Sequence, residues 1–283
     1  MVVLKRFCLL ICLVALLPAC SLLINYQVIE WRVKWVIGDY LDWDDTQQDQ
    51  FESALTRTLQ WHQQEQLSQY RQFLTDLQSD LTSPVSFLQL QEYYLRGEQL
   101  SNALMAQTLP EAESLLRSLS DRQVLSVLAE LDKKTEKLKK KYGELTQEEW
   151  RDQRSERIQK QLKGLVGKLS SAQVGYIEEW SAGLVDVRQP WFEQRKIWRD
   201  RFESALKQRT SQQFKKEIEL LFLRSDDLLP PSYEAQWQRS LDSAIQLMVT
   251  IINSLSDKQS EKLNKSMTKY QGYIDRLSNS STN

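Results

Sequence analysis

The side chains in this sequence whose types and spacing could do chemistry fall in one run: Asp39-Tyr40, then Trp61-His62, then Tyr70. His62 is the single histidine, and imidazole is the group whose charge changes most readily near neutral pH. Glu65 and Gln66 follow one turn later, within its reach. Tyr70 lies 70 − 62 = 8 residues beyond His62, two turns along one helical face, so both side chains line one stripe. If the preceding helix folds back across that stripe, Asp39 could orient the imidazole and fix its tautomer, as a carboxylate does for a catalytic or ligand histidine. The same residues would serve as a buried polar tie between two helices, and the tie is the role we expect.

A single histidine excludes a two-His metalloprotease helix and His-rich zinc sites, so no metal or cofactor is expected. The sequence has no Gly-rich phosphate loop, nucleophile elbow or dinucleotide fingerprint. The carboxylate pairs Asp44-Asp45, Glu178-Glu179 and Asp226-Asp227 lack the partners that acid-base catalysis needs. A non-enzymatic protein is the expectation. Lys and Arg number 37 against 38 Asp and Glu, a balance that leaves no footprint for nucleic acid. One charge patch stands out, Lys133, Lys134, Lys137, Lys139, Lys140 and Lys141. Cations at a helix end are favoured by the macrodipole and stay solvated; the other use for this patch is contact with anionic lipid or lipopolysaccharide.

The elements that must position these residues are helices. Gly and Pro are scarce, at 8 and 6 residues, and no stretch alternates as a strand does. The expected fold is all-α, an irregular bundle of about ten helices that could divide into two stacked bundles, with subdivision near residue 143 or 190. A first amphipathic helix runs from Tyr26 to Leu41. Asp45 and Gln48 read as a capping box opening a long second helix, while Ser83-Pro84 and Leu109-Pro110 read as breaks. Four helix starts share one pattern: Leu119-Ser120-Asp121-Arg122-Gln123, Leu145-Thr146-Gln147-Glu148-Glu149, Leu169-Ser170-Ser171-Ala172-Gln173 and Leu255-Ser256-Asp257-Lys258-Gln259. Each places a hydroxyl at the N-cap and Gln or Glu at N3. No fixed period demands a solenoid. The helical domain should span 26–278, with residues 279–283 frayed.

The N-terminus carries Lys5 and Arg6, then an apolar run from Phe7 to Leu17, then Pro18-Ala19-Cys20. That order is a secretory signal, here residues 1–19. A small residue before the cysteine resembles the lipobox of bacterial lipoproteins, which implies that Cys20 is lipidated and anchors the chain through a tether over residues 20–25. Without Lys5 and Arg6 the mature charge is (37 − 2) − 38 = −3. Cys8 and Cys12 leave with the signal, so no intramolecular disulfide is possible. Ser21 is not the Asp that in such lipoproteins commonly retains the protein at the inner membrane, so the resemblance implies the periplasmic face of the outer membrane. Trp31, Trp35 and Trp43 lie near the anchor, where indoles could sit among headgroups; core or helix-contact roles are the expectation for all three.

The spacing of Asp39-Tyr40, Trp61-His62 and Leu67-Ser68-Gln69-Tyr70 resembles an uncharacterised family of proteobacterial lipoproteins, a domain of unknown function with Asp-Tyr, Trp-His and Leu-Pro-x-Tyr segments. Trp191 to Trp198 resembles its Trp-x-x-x-Arg-x-x-Trp region and adds Arg195 and Trp198 to the candidate cluster. Gln63 and Ser68 depart from the family's usual Arg and Pro. The resemblance implies an envelope location and brings no assigned activity. The capped pentapeptides resemble the Leu-Thr-x-x-Gln motif of Spy-type periplasmic chaperones. Together these readings lead us to expect an envelope-maintenance binding protein with chaperone-like protection as its most concrete form. The alternatives are a ligand or hydrolytic site at His62 and a lipid- or lipopolysaccharide-binding scaffold.

Overall fold

The computed structural model describes residues 26–280, so Cys20 and the expected signal lie outside the described residues. The helices are α1 (Tyr26–Gly38), α2 (Asp45–Trp61), α3 (Leu67–Asp80), α4 (Phe87–Ser118), α5 (Asp121–Leu138), α6 (Gln147–Val166), α7 (Ser171–Ala182), α8 (Arg188–Lys207), α9 (Phe214–Phe222), α10 (Pro231–Asn253) and α11 (Asp257–Asn279). Wider π-turns over His62–Gln66 and Lys139–Gly143 join α2 to α3 and close α5, and a 3-10 turn covers Ser225–Leu228. No strand occurs among the described residues. The fold is an all-α multi-helix bundle.

Local chemistry explains the starts. All four shared pentapeptides form complete capping boxes, as do Asp44 with Gln47 and Ser86 with Gln89. The first of these corrects the expected Asp45–Gln48 box by one residue. Asp44 takes the cap because its extended backbone lets its carboxylate accept the Gln47 amide at 2.9 Å, leaving Asp45 to face the helix dipole from the first turn.

The expected break at Leu109-Pro110 does not occur, since α4 runs through Pro110. Proline removes the hydrogen bond to the carbonyl four residues back, that of Ala106. Both Ala106 and Pro110 face solvent, where water can take that carbonyl, while Leu109 is held in the core. Burial on one face thus overrides the breaker on the other.

This length makes α4 a spine. Its N-terminal half packs Leu90 and Tyr94 against Leu241, Ile245 and Val249 of α10. Its C-terminal half carries Leu109 into a core with Val127 of α5, Trp198 and Leu206 of α8, and Ile218 of α9. A third cluster joins Leu162 and Leu165 of α6 to Ile177 of α7 and Ile251 of α10. The chain ends meet where Tyr26 of α1 packs with Leu55, Leu67, Ile274 and Leu277.

One joint is built twice. Gln47 donates to Gln123 Oε1 at 3.2 Å and to the Ser118 carbonyl at 2.9 Å, while Gln123 donates back to Gln47 Oε1 at 2.6 Å and to the Asp42 carbonyl at 2.8 Å. Gln173 and Gln259 repeat each contact: Gln173 donates to Gln259 Oε1 and the Ser254 carbonyl, both at 3.2 Å, and Gln259 to Gln173 Oε1 and the Lys168 carbonyl, both at 2.9 Å. In all four, Oε1 also accepts the cap residue's own backbone N–H. Each glutamine therefore uses its full donor and acceptor capacity to clasp two helix starts side by side.

Candidate functional site

Placing the candidate residues on this frame separates them into two clusters. The first surrounds His62, the opening residue of the π-turn. Its Nδ1 lies 2.9 Å from the Tyr26 hydroxyl, a hydrogen bond whose donor depends on the ring tautomer. Tyr70 meets the imidazole edge to face at 5.6 Å, although an unbroken α-helix would set the two residues about 12 Å apart along its axis. The wider turn lies between them. Burial among these rings lowers the His62 pKa, and burial, then the nearby Tyr70, raises that of Tyr26 far above the ordinary phenol. The site is an imidazole kept neutral by burial and held between the rings of Tyr26 and Tyr70. Its neighbours serve packing: Trp61 is half-buried, and Gln66, fully buried, donates to the Leu100 carbonyl at 3.0 Å. Gln63 donates to the carbonyls of Leu277 at 3.0 Å and Ser278 at 3.2 Å, closing the C-terminus of α11.

Asp39 does not reach His62. It pairs with Lys134 of α5 at 3.1 Å, and the same ammonium lies 3.9 Å from the centre of the Tyr40 ring. Burial pulls the Lys134 pKa down, but Asp39 and Tyr40 outweigh it and hold it raised. Arg195 approaches from α8, donating to Thr135 Oγ1 at 2.7 Å with its guanidinium 5.8 Å from the Trp191 ring centre. Its pKa is lowered by burial, against an opposing pull from Tyr40. The Asp-Tyr and Trp-x-x-x-Arg segments thus converge on each other, forming a cation and aromatic joint between the end of α1, α5 and α8. Trp198 lies deeper, donating to the Leu221 carbonyl at 2.8 Å and stacking on Phe202 within the core.

The expected lysine patch is partly neutralised. Lys133 pairs with Glu130 and Lys139 with Glu136, each at 2.8 Å, alongside the Lys134–Asp39 pair. The tryptophans divide. Trp43 packs on the core as expected, but Trp31 and Trp35 are 64% and 58% exposed and stack on each other at 6.5 Å. They occupy the face of α1 opposite Tyr26, Ile29 and Val33, which pack against the bundle. The core or helix-contact role expected for Trp31 and Trp35 is therefore corrected: the bundle covers the Ile29 and Val33 face of α1 and leaves the indoles in solvent. No three His, Cys, Asp or Glu side chains gather as metal ligands among the described residues. None of the described helices is long and apolar enough to cross a membrane.

By fold the chain is an all-α multi-helix bundle. The chain belongs to DUF6279, a family of unknown function whose model matches residues 39–234, from the Asp-Tyr segment into α10. No curated protein and no solved structure matches it. Both motif segments lie within the matched span; α1 and α11, which meet beside His62, lie outside it.

Proposed function

We propose that the protein is a lipid-anchored, non-enzymatic binding protein of envelope maintenance, held at the periplasmic face of the outer membrane through Cys20. The observation that carries this is the stripe Val28, Trp31 and Trp35, at i, i+3 and i+7 on the exposed face of α1. Large aromatic side chains left in water are costly, whereas indoles are favoured at lipid headgroups. The stripe begins 28 − 20 = 8 residues after Cys20, so a tether from the lipid reaches it within roughly 28 Å even when fully extended. Mass spectrometry of the mature N-terminus tests the anchor; an unmodified Cys20, or retention of residues before it, overturns it. Tryptophan quenching by brominated lipid in reconstituted vesicles separately tests the stripe, with Trp31→Ala/Trp35→Ala as the variant expected to lose the quenching.

Chaperone-like protection of periplasmic clients is the more specific form of this reading. The helix-start motifs support it, and so do the exposed Leu88, Leu95 and Leu125. The interior gap among Leu74, Leu90, Leu162, Ile245 and Met267 is about 80 Å³, too small for a client segment. Suppression of client aggregation at equimolar protein is the expected result, and its absence removes the chaperone form. A second reading, a ligand or catalytic site at His62, draws on the π-turn there, since such turns recur at functional sites. The neutral imidazole facing two phenols, with no carboxylate among the described residues paired to it, favours the structural role.

A further inference from the structure

A concentration of positive charge lies away from both motif clusters. Lys258, Lys262, Lys265 and Lys269 recur at i, i+4, i+7 and i+11, which places them on one face of α11. Together with Lys168 they line a groove of about 920 Å³ between α11 and the turn from α6 to α7. Glu261 is the single acid among the lining residues, so these side chains sum to 5 − 1 = +4 on a chain whose net charge is −1. Glu261 pairs with Lys265, and its pKa is lowered by Lys265 and further by Lys258. Lys168, Lys258 and Lys262 make no ion pair among the described residues.

The groove is shaped as well as charged. Gly167 turns the chain at φ +88°, and a Cβ there would come within 3.2 Å of Lys262 Cδ. The bare glycine therefore lets the Lys262 stem lie along the turn, with its ammonium at the groove. The caps Ser170 and Ser256 also line it, bringing the positive ends of the α7 and α11 dipoles to the same place. The lysines span eleven residues, about 16 Å of helix, more than one phosphate can engage.

We propose that this groove binds an extended polyanion carrying several phosphate groups, presented either on a lipid headgroup array or on a soluble polymer. This inference does not depend on the anchor, because α11 and the α6–α7 turn carry it alone. The test uses the full-length protein in detergent, titrated with fluorescent inorganic polyphosphate at physiological salt, and reconstituted vesicles of phosphatidylglycerol or phosphatidylcholine. Binding to polyphosphate should weaken about tenfold or more in Lys258→Gln/Lys262→Gln at unchanged melting temperature. It should return in Lys258→Arg/Lys262→Arg and stay within about twofold in the control Lys133→Gln/Lys137→Gln. Groove-dependent binding to phosphatidylglycerol vesicles without binding to polyphosphate assigns the source as the headgroup array. The proposal is overturned if the wild type binds neither probe, or if the control loses as much as the groove variant.

Discussion

His62 meets Tyr26 and Tyr70, while Asp39, the partner expected for it, pairs with Lys134. Its place on a stripe with Tyr70 follows from spacing, whereas the hydroxyl that meets it comes from Tyr26, at the far end of α1. No local pattern links residues 26 and 62, because the contact exists only once α1 lies across the π-turn. The tie makes separable predictions. His62→Leu leaves a buried Tyr26 hydroxyl without its partner and should cost about 1–3 kcal/mol; His62→Gln retains a polar group and should cost less. Thermal melting reads both, and unchanged melting in both with loss of cellular phenotype would favour a functional site. The pH dependence follows from the lowered pKa. The unfolded chain binds a proton more readily than the folded one, so the histidine's contribution is full above its ordinary value of about 6.5 and declines as pH falls through and below it. Both variants should lack that slope between pH 7 and 5.

At the scale of helices, much of the architecture was legible. Caps and amphipathic stripes are local, and the boxes at Ser120, Thr146, Ser170 and Ser256 stand where their pentapeptides placed them. What escaped was tertiary. The N3 glutamines explain their own helices and give no sign that they also bond to one another in pairs, although the near-identical Ser118–Gln123 and Ser254–Gln259 hexapeptides hinted at a repeated joint. Gln173→Ala should cost about 1–3 kcal/mol by stranding a buried partner amide. Double-mutant cycles in denaturant melts should give a coupling of roughly 0.5–3 kcal/mol within each pair, Gln47 with Gln123 and Gln173 with Gln259. Coupling between the pairs should be near zero. Pro110 illustrates the converse, a local breaker overridden by burial one residue away. Pro110→Ala restores a donor to the Ala106 carbonyl within α4 and should raise stability by about 1–3 kcal/mol, read as an increased melting temperature.

For the whole molecule, α11 closes the structure by packing on α3 and α6 and by meeting α1 at Ile274 and Leu277. A chain ending at Leu255 loses Gln259 from its clasp and uncovers Tyr26, Leu55 and Leu67. It should melt at lower temperature and with reduced cooperativity, measured by circular dichroism against the full-length protein. The same closure has a consequence for biogenesis. The surface that receives Tyr26 includes Leu277, which is made 277 − 26 = 251 residues later. At about 5–20 residues per second, ribosomes take roughly 12–50 s to bridge that interval. Throughout it the leading helix has no completed berth, and its aromatic side chains are open to holdases and proteases. The delay is written into the topology, so substitutions within α1 can change how tightly the helix finally docks but not how long it must wait.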